Sequence, residues 1–228
     1  MKEAIILAGG MGTRLKGVVS DMPKPMAPIG DKPFLTIIFD FLQRHNVDRA
    51  ILSVGYKYEV IKDYYGDNYK GIELVYSVEE TPLGTGGAIQ LALSHVKGDA
   101  VVILNGDSYV DVDVQDFSKA FSSSDSKFGM VIKEMTNFDR YGTVITEGDR
   151  ITSFQEKRAL DRGYINTGVY ILDKAYLLSL NLSEKFSFEN DFMEKYYAKS
   201  AFFAYTTDGF FIDIGIPEDY RRAQTEFK

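Results

Sequence analysis

Cysteine and tryptophan are both missing from these 228 residues, and histidine occurs only twice, at His45 and His95. Without cysteine there are no disulfides and no thiolate metal sites, which fits a reducing compartment. The two histidines lie near the ends of predicted helices with no acid or nucleophile at motif spacing, so neither is assigned a catalytic role. There is no basic run, and the net charge is −7. Nucleic acid and anionic membrane surfaces are therefore poor partners. No apolar stretch approaches the roughly 20 residues that span a bilayer. Met1-Lys2-Glu3 runs directly into a strand, with no secretory leader ahead of it. The expectation is a cytoplasmic protein with small-molecule partners, compatible with a homo-oligomer.

What the chain does have is core material: 45% hydrophobic residues, including 16 Phe and 15 Tyr, enough for one sizeable α/β domain spanning 1–228. Apolar runs at 4–7, 51–54, 72–78 and 100–104 read as buried strands. Helical patterns at 34–45, 58–65 and 86–96 alternate with them, the order of parallel βα units. Pro33 suits the first turn of the first helix. The second half is richer in strands with short connections, at 128–135, 143–145, 151–155, 168–172, 201–205 and 210–214, so antiparallel pairing is expected there. Ser187 is placed to cap a helix over 188–197, and Pro217 opens a closing helix to Glu226. Ser122-Ser123-Ser124-Asp125-Ser126 reads as a surface turn.

Chemistry concentrates where strands end. The first strand runs into Leu7-Ala8-Gly9-Gly10-Met11-Gly12-Thr13-Arg14-Leu15, with Lys24 following in Pro23-Lys24-Pro25. Glycines let backbone N–H groups approach polyphosphate, and Arg14 and Lys24 add charge. The spacing matches neither the Walker loop nor the dinucleotide fingerprint. A second glycine-rich turn, Glu79-Glu80-Thr81-Pro82-Leu83-Gly84-Thr85-Gly86-Gly87-Ala88, lies between a strand and a helix. Its glycines would let a flat ligand lie on the backbone, leaving the Thr85 hydroxyl free to bond. Two such loops at the carboxyl edge of a parallel sheet form a nucleotide pocket.

Asn105-Gly106-Asp107 follows a buried strand and offers a hard-cation ligand. Asp213, an acid within the apolar run Phe211-Ile212-Asp213-Ile214, needs a cationic partner if buried. Glu156-Lys157 closes one strand and Asn166-Thr167-Gly168 opens the next, a set able to grip sugar hydroxyls and a phosphate. Asp111-Val112-Asp113 has the look of a metal-binding D-x-D pair, but the alternation with Val110, Val112 and Val114 suits a solvated edge segment equally well.

In this order, Leu7–Leu15, Pro23-Lys24-Pro25, 83–88, 105–107, Glu156-Lys157, 166–168 and Asp213 resemble the motifs of sugar-1-phosphate nucleotidyltransferases, over residues 4 to about 220. The resemblance implies a Rossmann-like α/β/α sandwich with a mainly parallel, mixed central sheet. It also implies joining of a nucleoside triphosphate to a sugar 1-phosphate with release of pyrophosphate. By that likeness Leu7, Ala8, Gly9, Gly10, Gly12, Thr13, Gly84 and Thr85 would hold the nucleotide. Arg14 and Lys24 would serve the reacting phosphates, and Asp107 and Asp213 would share Mg²⁺. Lys157 would hold the sugar phosphate, and Asn105, Gly142, Glu156, Asn166 and Thr167 the sugar. The short length, the 79–87 run and Ser187-Phe188-Glu189-Asn190-Asp191 look most like guanylyltransferases for manno-configured sugars, which implies GTP and a heptose or hexose 1-phosphate as substrates. Where the family often has Gln, this chain has Glu79, whose carboxylate can accept the two donors of guanine, with Glu80 as the alternative reader. Two other classes stay open at this point: a glycosyltransferase using Asp111 and Asp113, and a non-catalytic nucleotide sensor.

Overall fold

The computed structural model describes residues 2–10, 22–155 and 159–227. Of the expected site residues, Gly12, Thr13, Arg14, Glu156 and Lys157 lie outside the described residues.

The first half alternates as its periodicity implies. Strands β1 (Glu3–Leu7), β2 (Pro28–Ile29) and β3 (Lys32–Pro33) precede helix α1 (Phe34–Arg44). Then come β4 (Arg49–Val54), α2 (Tyr58–Tyr65), β5 (Asn68–Tyr69), β6 (Ile72–Val78), α3 (Gly84–Ala92) and β7 (Ala100–Asn105). The second half runs β8 (Ser108–Val110), α4 (Val114–Ser122), β9 (Phe128–Phe138), β10 (Thr143–Glu147), β11 (Arg150–Gln155), β12 (Leu160–Asp173), α5 (Lys174–Ser179), α6 (Glu194–Tyr196), β13 (Phe202–Thr207), β14 (Phe211–Asp213) and α7 (Pro217–Glu226).

Among the described residues ten strands form one mixed sheet in the order β10-β11-β13-β9-β12-β7-β1-β4-β6-β5. β6, β4, β1 and β7 are mutually parallel, and β12 is antiparallel to both β7 and β9. The alternation of side chains sorts the core into two layers. Ala4, Ile6, Leu52 and Val102 face the layer packed by Phe34, Phe39, Phe117 and Tyr220 of α1, α4 and α7. Ile5, Ile51, Val101 and Ile103 face the layer packed by Ile89, Leu177 and Phe192. Residues one apart along a strand point to opposite faces, so strands this apolar require cover on both sides.

Several boundaries differ from the sequence reading, each for a physical reason. Asp111-Val112-Asp113 alternates exposed acids with buried valines, as the solvated-edge reading expects, and it also starts a helix. Val110, Val112 and Val114 are buried, and Asp113 accepts from the N–H groups of Gln115 and Asp116 (2.8 and 3.0 Å), capping the unforeseen helix α4. β12 starts well before residue 168, because its polar half pairs along β9, where Arg162 forks onto Glu134 across the ladder. The helix expected over 188–197 is a π-helical turn, Phe188–Met193, followed by the short α6, with Ser187 Oγ accepting from Asn190 N as foreseen. Such turns concentrate at functional sites.

The end of the sheet opposite the glycine loops is fastened by Glu3. Its carboxylate accepts from Lys97 N (2.9 Å), Gly98 N (2.7 Å) and the Arg49 guanidinium (2.8 Å). Burial pushes this carboxyl up, but the three donors outweigh it and hold it below its ordinary 4.5. Among the described residues no helix is long and apolar enough to cross a membrane. Glu3→Gln is expected to lower unfolding free energy by about 1–3 kcal/mol at pH 7. The gap between the two proteins should close as pH falls below 4.5, because a carboxyl with a depressed folded-state pKa loses its advantage on protonation. Urea titrations at several pH values test both; equal stability at neutral pH would contradict this account.

Candidate active site

The carboxyl ends of β1, β4, β6 and β7 converge on a cleft of about 350 Å³. Gly9 and Gly10 line it after β1, Ser53 on β4, Glu79 after β6, and Asn105 and Asp107 at the end of β7. Gly9 belongs here because a Cβ would come within 3.2 Å of Glu79 Oε1, whereas a Cβ on Gly10 would meet nothing within 4 Å among the described residues. Leu7 and Lys24 complete that wall, and Gly84 and Thr85 the facing one. Ala8 does not join them. It is buried, and its N–H extends the sheet by donating to Ser53 O (2.8 Å).

The second glycine turn differs from its expected use. Gly86 has no room for a Cβ because the Phe186 ring would lie 2.1 Å from it, and a Cβ on Gly87 would meet Glu184 O at 2.2 Å. These glycines seat the 184–188 segment rather than a ligand. Gly86 N donates to Phe186 O (3.0 Å), and Phe186 N to Leu83 O (3.1 Å). Nor is the Thr85 hydroxyl free: it donates to Glu189 Oε2 (2.7 Å) and accepts from Phe188 N (2.9 Å). Glu79 in turn accepts from Leu83 N through Oε2 (3.0 Å), holding the turn against β6.

Beyond Glu189 lies a second cleft of about 470 Å³, lined by Gly142, Phe154, Gln155, Asn166, Asn190 and Met193. Glu189 lines both clefts, a position that its sequence gave no means of finding beyond the Ser187-Phe188-Glu189 run itself. Asn166 opens a bulge. Between the pairs Asn166↔Ile132 and Tyr170↔Met130, Thr167, Gly168 and Val169 face the single residue Val131. Gly168 takes φ +82°, and a Cβ there would meet Asn105 Nδ2 at 2.5 Å and Ser108 Oγ at 2.9 Å. Asn166 Nδ2 donates to the buried hydroxyl of Tyr170 (2.8 Å), whose ionisation is pushed up by burial and by the nearby charge of Glu189. Thr167 contributes through this bulge rather than through its side chain: its hydroxyl is buried and donates to Val131 O (2.8 Å).

Asp107 and Asp213, far apart in the chain, come together through the two-stranded ladder of β8 and β14. Asp213 stands opposite Ser108, and Ile214 N donates to Asp107 O (2.9 Å). Lys24 Nζ is ion-paired with Asp107 Oδ2 and lies 4.0 Å from Asp213 Oδ1. Gly215 N donates to the same Asp213 oxygen (2.7 Å). Burial and then the charge of Asp107 raise the Asp213 carboxyl above its ordinary value, against the pull of Lys24 and the Gly215 amide. Mg²⁺ needs only one or two protein carboxylates when phosphate oxygens complete its shell. Two carboxylates already meeting at one cation fit that requirement. Among the described residues no group of three or more His, Cys, Asp or Glu gathers for a metal. Asp111 and Asp113 line neither cleft, which removes the support for a D-x-D site.

A family model described as nucleotidyl transferase matches residues 3–228. A D-glycero-α-D-manno-heptose 1-phosphate guanylyltransferase from Aneurinibacillus thermoaerophilus is 50% identical over 226 residues, covering 99% of this chain and 98% of its own. A protein of the same description from Campylobacter jejuni is 49% identical, covering 96% of each. The crystal structure of HddC from Yersinia pseudotuberculosis complexed with GMP-PN matches with a TM-score of 0.90 and 41% identity, both chains being covered in full.

Gly86→Ala is expected to separate the glycine turn from Phe186 and cost about 1–3 kcal/mol, the usual range for overpacking. Gly10→Ala, with nothing within 4 Å of the added carbon among the described residues, should leave stability near that of the parent. Thermal unfolding of the two variants decides this, and equal melting points would refute the tight seat of Phe186.

Proposed function

Because this chain belongs to the nucleotidyl transferase family, we propose that it transfers GMP from GTP to D-glycero-α-D-manno-heptose 1-phosphate, forming the nucleotide sugar and releasing pyrophosphate. The observation that carries the reading is that Lys24 and Asp107 line a glycine-edged cleft, with Asp213 4.0 Å from the Lys24 ammonium, and that this cleft shares Glu189 with a second one. Two adjoining clefts suit two substrates, and the full-length similarity to heptose 1-phosphate guanylyltransferases supports the choice of both.

The chemistry follows from charge. A phosphate monoester has its second pKa at about 6, so the sugar phosphate is mainly a dianion at neutral pH and attacks the α-phosphorus of GTP without a general base. The difficulty is to bring two polyanions together and to stabilise charge moving onto pyrophosphate, so positioning and fixed positive charge supply most of the catalysis. Lys24 neutralises the triphosphate at the cleft mouth, and the backbone at Gly9 and Gly10 admits phosphate oxygens closely. Gly142 and Asn166 orient the sugar in the second cleft. Arg14 and Lys157 are assigned to the two phosphates by family likeness. Mg²⁺ held by Asp107 and Asp213 would add positive charge between the phosphate groups. Glu79 is proposed to read guanine. Each carboxylate oxygen accepts more than one hydrogen bond, so its bond from Leu83 N leaves capacity for the N1–H and exocyclic amine of the base.

Pyrophosphate release, measured for four nucleoside triphosphates against manno-heptose, mannose and glucose 1-phosphates, tests the assignment. GTP with the heptose phosphate should give the highest kcat/KM, and turnover with UTP or dTTP alone would overturn the guanine reading. Asp213→Asn should lower kcat by roughly 10²–10³; unchanged turnover would remove Asp213 from the site. Glu79→Gln should narrow the preference for GTP over UTP, and an unaltered ratio would exclude Glu79 as the reader.

A further inference from the structure

The acid pair Asp107 and Asp213 already has a cation, and that cation belongs to the chain. Lys24 Nζ bonds Asp107 and stands 4.0 Å from Asp213, with a side chain only 15% exposed. Its backbone is fixed from both sides. Lys24 opens a 3₁₀ turn, Lys24–Met26, in which Pro25 and Met26 are buried, Met26 N donates to Pro23 O (2.8 Å) and Ala27 N to Lys24 O (3.0 Å). Only the four-carbon stem can move the ammonium. Gly215 leaves it room, since a Cβ at that position would come within 3.0 Å of Lys24 Nζ and 2.8 Å of Asp213 Oδ1.

An ammonium and a dication cannot share the space between two carboxylates, because the repulsion of close like charges is strong away from bulk water. Nucleotide phosphates change the balance: they offer the ammonium other anions and the metal further oxygens. We propose that Lys24 is the resident counter-ion of Asp107 and Asp213 in the free protein, barring a free divalent cation from that pair, and that the metal enters only with a nucleotide whose phosphates draw the ammonium away. The inference rests on the reading of Asp107 and Asp213 as metal ligands. Metal and nucleotide then strengthen each other's binding by the same factor, as linkage requires. One lysine thus offsets part of the negative charge of the empty site and reaches the phosphates when they arrive.

Mn²⁺, titrated against the full chain without nucleotide and followed by the electron paramagnetic resonance of the free ion, tests this. Lys24→Met should gain one site per chain, about tenfold or more tighter than any in the parent. Lys24→Arg, which keeps the charge, should resemble the parent. Far-ultraviolet circular dichroism melts confirm that each variant is folded. Equal Mn²⁺ affinity in the parent and Lys24→Met, or no gain of a site in Lys24→Met, would overturn the proposal. The same titration with saturating GTP and Asp213→Asn separates the two levels. If Asp213→Asn leaves Mn²⁺ binding in the GTP complex unweakened, the metal assignment itself fails. If binding there is weakened while the nucleotide-free parent matches Lys24→Met, only the counter-ion exchange fails.

Discussion

Two carboxylates set side by side at the rim of an apolar sheet repel each other, and they stay ionised together only if positive charge stands between them. That constraint organises the reacting end of this protein. Asp107 follows β7, the last of the four mutually parallel strands β1, β4, β6 and β7, and Asp213 is brought beside it by a two-stranded ladder outside the main sheet. Lys24 reaches the pair from a proline-flanked turn. Remove the lysine, and burial and the charge of Asp107 would hold the Asp213 carboxyl still higher. In the proposed reaction the same three groups would supply charge that a phosphoryl transfer requires. The arrangement is thus stable when empty and suited to reaction when filled.

The rest of the site is built around the same edge by contacts within the protein. The glycines at 84, 86 and 87 admit the 184–188 segment so closely that Glu189 is delivered to the wall between the two clefts, where Thr85 and Ser187 hold one of its oxygens. On the other side a bulge in β12 presses Gly168 against Asn105 and turns Asn166 toward the second cleft. Both devices use residues without a Cβ to bring separate chain segments within a few ångströms. Each ties the nucleotide side of the protein to the side assigned to the sugar.

Much of the fold was legible because buried strands and amphipathic helices leave periodic patterns: β1, β4, β6, β7, α1 and α2 fall where the apolar spacing puts them. Lys24, Asp107 and Asp213 were legible as charges next to proline, at a strand end and inside a strand. Other features were not. A polar strand half such as 160–166 carries no apolar alternation, since its stability comes from pairing along β9 and from Arg162 on Glu134. Asp113 looked like half of a metal motif because an N-cap and a metal ligand make the same demand, a short carboxylate just before a helix or after a strand. Thr85 and Thr167 looked free because a sequence does not show which backbone group a hydroxyl will find.

The sequence by itself determined the two-sided apolar strands, the glycines where backbone must be approached and the list of charged residues available for chemistry. Those are local properties, settled by side-chain volume, backbone freedom and charge. Only the tertiary structure decided that Asp213 stands opposite Ser108, that Lys24 lies between two acids, and that Glu189 lines both clefts. Each of these is a contact between segments far apart in the chain, and such contacts depend on strand register and on how closely two backbones can pass, which no single stretch of residues encodes.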